Sequence, residues 1–277
     1  MSIVPTAPPV ERAEVNGVDL EIHDSGSGDP VVFIHSPTRE EWTSVLADPA
    51  LADHRRILYH RRGFGGSDDT GLPLEYPEQA VDCHAVMDHL GLDRAHVVGL
   101  SGGGAIALQV AADYPEAVHT LTLLEPAIPQ AWEDETEFHE TVSRATPLFE
   151  TGEIAEGIDV MYQYLLGEAY ADAFDRTLPE GWLDRLVADW PAASMDFEAT
   201  TVWEICGDDV ADFDAPVLNV RGRNTTPGHR ECHRLVQSWF PQAESVVVPD
   251  ATHAIPMTNP TDTAETLAEF FAEHPME

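Results

Sequence analysis

The sequence contains no lysine. Its 14 basic residues are all arginine, set against 50 aspartates and glutamates, for a formal net charge of −36 at pH 7. So acidic a surface repels nucleic acid and anionic membranes, and both are excluded as partners. Cysteine is scarce: Cys83, Cys206 and Cys232 are scattered, odd in number and without metal spacing. They read as free thiols in a reducing compartment. No apolar run approaches the roughly 20 residues that cross a bilayer. Residues 1–10 are proline-rich and lack the basic start and apolar core of an export signal, so a cytoplasmic location is expected.

What the chain has in excess is acid, spread along its length rather than gathered in a tail. That pattern suits a solvated surface in concentrated salt, where screening weakens self-repulsion. A halophilic source is the expectation. A GC-rich genome would explain the missing lysine but not the surplus acid.

At 277 residues the chain has room for one large core, and a single α/β domain with an insertion fits best. Asn16-Gly17 between alternating residues signals a hairpin. Short apolar runs at 31–34, 56–59, 95–100, 121–124, 217–220 and 245–248 read as buried strands. Helices are predicted at 42–51, 76–90, 102–114, 231–239 and 260–273. Between residues 127 and 212 strand signals vanish, and short aromatic-rich helical stretches take over, broken by proline and glycine.

The stretch Gly99-Leu100-Ser101-Gly102-Gly103 joins an apolar strand to an alanine-rich helix. A serine on so sharp a turn needs small neighbours, and the turn aims its hydroxyl out of the sheet. The helix that follows points amide N–H groups and its positive dipole end at the same spot. Ser101, Glu125, His253 and His35 all fall just past a predicted strand, where parallel sheets place their crevices.

In this the chain resembles the α/β-hydrolase superfamily over nearly its whole length. The resemblance rests on His35, on Arg61-Arg62-Gly63-Phe64-Gly65-Gly66-Ser67, on the Ser101 turn, on Leu124-Glu125-Pro126 and on Ala251-Thr252-His253. It implies an α/β fold with a mostly parallel eight-stranded sheet, a core of residues 1–126 and 213–277, and a helical cap at 127–212. It implies no cofactor and no metal, a small-molecule substrate, and a monomer or homodimer.

The resemblance also assigns roles. Ser101 is the nucleophile candidate and needs a base within hydrogen-bond reach, for which His253 is the candidate. The family usually takes its acid from the loop after the seventh strand, but that loop here is Gly222-Arg223-Asn224-Thr225-Thr226-Pro227 and has no carboxylate. Glu125, at the end of the sixth strand, is therefore the expected acid, with Asn224 as the alternative orienter of His253. Gly102 supplies one oxyanion N–H. The second comes from the loop after His35, where Pro37 has no N–H, so Ser36 is the candidate, with Thr38 as the alternative donor and an incomplete hole as the remaining reading. His35, Pro37 and Leu100 are expected to face the substrate. Arg61 and Arg62 read as pins for their own loop.

The leading expectation is a serine hydrolase cleaving an ester, lactone or related acyl bond of a small, neutral, partly apolar substrate. The alternatives are a cofactor-free lyase or isomerase with His253 as general base, and a non-catalytic small-molecule binder. The halophilic expectation has a direct check: activity should rise from low to molar salt, and activity that falls steadily with salt contradicts it.

Overall fold

A computed structural model describes residues 10–71 and 75–276. The proline-rich stretch read for an export signal lies, apart from Val10, outside the described residues. The chain opens with β1 (Val10–Val15) and β2 (Val18–Ser25), an antiparallel hairpin. Its turn residues Asn16 and Gly17 have φ of 49° and 76°, the left-handed pair that matches the twist of the flanking strands.

The remaining strands are β3 (Pro30–Ile34), β4 (Arg55–Tyr59), β5 (Ala95–Leu100), β6 (Val118–Leu124), β7 (Val217–Gly222) and β8 (Glu244–Val248). Together they form one 8-stranded sheet in the order β1-β2-β4-β3-β5-β6-β7-β8. From β4 to β8 every neighbouring pair is parallel. The central strands are buried on both faces, which is why they read as unbroken apolar runs.

Helices follow in chain order: α1 (Thr43–Leu46), α2 (Tyr76–His89) and α3 (Gly102–Asp113). Five more fill the strandless stretch between β6 and β7: α4 (Thr136–Thr151), α5 (Ile154–Leu166), α6 (Tyr170–Thr177), α7 (Trp182–Ala188) and α8 (Trp190–Val202). The chain closes with α9 (Pro227–Trp239), α10 (Ile255–Thr258) and α11 (Pro260–Glu273). Among the described residues no helix is long and apolar enough to cross a membrane.

Two helix expectations need correction. The helix at 42–51 breaks after Leu46, because the Asp48 carboxylate accepts the Ala50 N–H at 2.9 Å and Pro49 starts a separate tight turn. The helix expected from 231 begins at Pro227, where proline suits the first helical position and the Thr226 side chain caps the end.

The sharp turn after β5 depends on glycine because backbones cross there. A Cβ on Gly103 would stand 2.2 Å from the Ile34 carbonyl oxygen, and one on Gly99 would stand 2.2 Å from the Gly103 oxygen. Neither contact is with a flexible side chain, so the sheet itself would have to move. Gly103→Ala is expected to cost about 3 kcal/mol, read as a lower urea midpoint with an unchanged slope. A midpoint equal to wild type would show that the β3–α3 crossing is not close-packed.

Candidate active site

Ser101 sits at φ 54° and ψ −119°, a left-handed backbone that a serine adopts only when its surroundings hold it there. Those surroundings are explicit. Its N–H donates to the Leu124 carbonyl at 3.1 Å, and its own carbonyl accepts from Ala105 at 3.0 Å and Ala127 at 2.9 Å. The side chain makes no capping bond to α3, so the hydroxyl is not committed to the helix. Gly102 begins α3, and the first amides of a helix have no acceptor within it.

Glu125 directly follows β6, also has a positive φ, 44°, and is fully buried. Its carboxylate is nonetheless satisfied. Oε1 accepts the Gly222 N–H at 2.8 Å, and Oε2 accepts the Thr225 hydroxyl at 2.9 Å and lies 2.7 Å from Nδ1 of His253. A carboxylate on Nδ1 sets the tautomer that leaves Nε2 as the basic nitrogen. His253 and Ser101 line the same cavity. Asn224 is exposed, and its backbone N–H donates to the Ala251 carbonyl at 2.9 Å. The orienting position at His253 Nδ1 is thus held by Glu125, and the loop after β7 contributes Gly222 and Thr225 instead of an acid.

His229 is a site residue that sequence reasoning missed. It is buried, lines the cavity, and stacks on His253 with ring centroids 3.7 Å apart and planes 18° from parallel. Its Nδ1 pairs with the Thr226 hydroxyl at 2.8 Å. Burial, and then the neighbouring His253, hold its pKa well below the usual histidine value, so it is neutral. The Thr226-Pro227 helix start, three residues upstream, was the available signal. Ligand atoms of Glu125, His229 and His253 lie within 4.8 Å of one another. The two rings are nearly parallel, however, so their in-plane lone pairs run side by side rather than converging on one ion. The cluster suits proton handling better than metal ligation.

The loop after β3 departs from expectation in two places. His35 is fully buried and is not part of the cavity wall. Its Nδ1 donates to the Ser36 carbonyl at 2.6 Å, its Nε2 accepts the Arg61 N–H at 3.0 Å, and burial followed by the Arg61 charge keeps it neutral. It therefore shapes the loop and does not face substrate. The Ser36 N–H, expected to be an oxyanion donor, is already given to Glu41 Oε1 at 2.8 Å. Pro37 and Leu100 do line the cavity, as do Gly102 and the Ser36 residue itself.

The cavity measures about 120 Å³, comparable to spaces that hold one aromatic ring. Its walls are mainly apolar, with Trp132, Phe138, Met161, Leu165 and Phe197 from the segment between β6 and β7. Among the described residues no arginine lines it, and Asp196 is its one aspartate. Asp196, on α8, is held by Arg61 in a forked pair at 2.8 and 2.5 Å, with both side chains nearly fully buried. Arg39 with Asp189 and Glu40 with Arg185 add further bridges between the β3 loop and the α7–α8 region. Arg62 pairs with Asp82 at 2.5 Å and pins its own loop. Asp196→Ala strands a buried guanidinium, and a loss of about 3–5 kcal/mol of stability is expected by chemical denaturation. A loss under about 1 kcal/mol would show that the pair is solvated in solution.

The family model for the α/β hydrolase fold matches residues 29–260. A 2-hydroxy-6-oxononadienedioate/2-hydroxy-6-oxononatrienedioate hydrolase from a Pseudomonas species is 34% identical over 121 residues, 42% of this chain and 42% of that protein. The chain thus spans about two fifths of the length of the curated relatives it matches. Among solved structures, the enol-lactonase from Burkholderia xenovorans superposes with a TM-score of 0.77 at 20% identity, over 95% of this chain and 100% of that one. A thermophilic esterase from Thermogutta terrifontis gives 0.74 at 23% identity, over 97% and 100%. At such identities the likeness concerns the fold.

Proposed function

The chain belongs to the α/β-hydrolase fold family, and we propose that it is a serine hydrolase with Ser101 as nucleophile, His253 as general base and Glu125 as the acid. One observation carries this reading. Ser101, Gly102 and His253 line a single cavity, while a fully buried carboxylate holds the far nitrogen of His253 at 2.7 Å. In the proposed reaction Ser101 Oγ attacks a carbonyl carbon and Nε2 of His253 takes the hydroxyl proton. Glu125 stabilises the imidazolium so formed. The Gly102 N–H, at the positive end of α3, stabilises the oxyanion. His253 then protonates the leaving group, an acyl-enzyme remains on Ser101, and water activated by the same imidazole releases the acid.

The substrate class follows from the walls. The curated relative's substrate name, a dienedioate or trienedioate, is that of a doubly anionic compound. Among the described residues no arginine lines the cavity to receive such a group, and the Arg61 guanidinium behind its wall is already taken up by Asp196. A neutral ester or lactone with a short apolar acyl part suits it better.

The test is hydrolysis of p-nitrophenyl esters of graded acyl length. Wild type should show an acyl-enzyme burst and prefer short chains. Ser101→Ala should lose at least roughly 10⁴-fold in kcat. If wild type and Ser101→Ala are equally inert across the series, acyl transfer to simple esters is ruled out.

A further inference from the structure

One buried carboxylate takes part neither in the acyl-transfer steps nor, among the described residues, in an ion pair. Glu41 is 1% exposed, and both of its oxygens go to a single residue. Oε1 accepts the Ser36 N–H at 2.8 Å, and Oε2 contacts the Ser36 hydroxyl. Among the described residues it forms no ion pair. A buried, unpaired carboxylate is costly as an anion and inexpensive as an acid. Burial accordingly pushes Glu41 up to about 8, against the opposing pull of the Ser36 bonds and the Arg61 charge.

The oxyanion site beside it is short of one donor. Pro37 has no N–H, and the Ser36 N–H is taken by Glu41. The Ser36 hydroxyl is differently placed. A hydroxyl accepts two hydrogen bonds and donates one. When Glu41 carries its proton on Oε2, Ser36 Oγ accepts from it. Thr38 N–H, at 3.4 Å, provides a second and longer bond to the same oxygen. The hydroxyl's own proton is then left for the cavity that Ser36 lines together with Ser101 and Gly102.

We propose that the Ser36 hydroxyl is the second oxyanion donor, and that Glu41 is a positioning residue that orients it by giving its proton to Ser36 Oγ. The proposal rests on the acyl-transfer reading above. Its pH sign is definite. Below about pH 8 Glu41 is an acid and Ser36 donates into the cavity. Above it, the carboxylate claims the Ser36 proton and the donor is lost, so the rate falls as pH rises. The other charged or titratable groups around Glu41 are Arg61, from the loop after β4, and Tyr162, from α5, whose phenol burial pushes up to about 12. Beside it in the chain, Glu40 is paired with Arg185 and Arg39 with Asp189.

The experiment is the rate of Ser101 phosphonylation by a fluorophosphonate, followed by intact mass, as a function of pH. Ser36→Ala should react roughly a hundred-fold or more slowly than wild type, and Ser36→Thr, which restores a hydroxyl, should recover part of the rate. Glu41→Gln mimics the neutral acid at every pH, because its amide N–H donates to Ser36 Oγ and its carbonyl accepts the Ser36 N–H. Its profile should lose the alkaline fall seen in wild type near pH 8, and this result carries the proposal even if Ser36→Ala does not fold. Folded Ser36→Ala reacting at the wild-type rate would overturn the proposal and assign the donor to Thr38 N–H. The same alkaline fall in Glu41→Gln as in wild type would also overturn it. Unlabelled wild-type protein would instead defeat the serine-hydrolase reading on which the proposal stands.

Discussion

The buried carboxylate of Glu125 is the constraint around which the site is arranged. A fully buried anion survives only when each of its oxygens is engaged by a donor. Glu125 meets that requirement with one donor from the backbone of β7, one from the Thr225 hydroxyl and one from His253. These partners come from the end of β7, the loop directly after it and the loop after β8. Satisfying the carboxylate therefore aligns the ends of β6 and β7 with the loop after β8. The positive φ at Glu125 is held where its N–H donates to the Val220 carbonyl at 3.1 Å, as that at Ser101 is held by its bond to the Leu124 carbonyl. With the carboxylate beside His253 supplied from the end of β6, the loop after β7 plays a supporting part. That loop gives Thr225 to the carboxylate, and α9, which follows it, gives His229 to the face of the imidazole.

A second constraint is how the helices between β6 and β7 stay over the cavity. Exposed ion pairs on so acidic a surface contribute little. The bridges near the site are different in kind, because Arg61 and Asp196 are nearly fully buried. Arginine suits this use better than lysine, since its planar fork meets both carboxylate oxygens at once. The pair lets the same contact close one wall of the cavity and neutralise its carboxylate. What remains is a mainly apolar space, with Ser101 and His253 among its polar lining residues.

Much of this was legible in the sequence, and the reasons are local. β5 and the turn after it announce themselves through an apolar run and close-set glycines, because backbone crossings tolerate nothing larger. The hairpin, the parallel strands and the terminal helix Pro260–Glu273 follow the same logic of period and punctuation. The failures are those of partnership. Nothing local shows that the Ser36 N–H is already given to Glu41, or that His35 turns inward, since both depend on contacts across a folded loop. Glu41 is one acid among 50 acidic residues, and His229 one histidine among 13. Their contacts in the folded chain, with Ser36 for the one and His253 for the other, single them out. Asn224 stood at the right distance along the chain, but its loop turns it to solvent.

The central claim is that the carboxylate orienting His253 comes from β6 and not from the loop after β7. The most direct measurement is kcat for ester hydrolysis in Glu125→Ala and in Asn224→Ala, with folding verified for each. The account predicts a fall of roughly 10⁴-fold for the first and a value within a few-fold of wild type for the second. Near-normal turnover in Glu125→Ala together with a large loss in Asn224→Ala would contradict it.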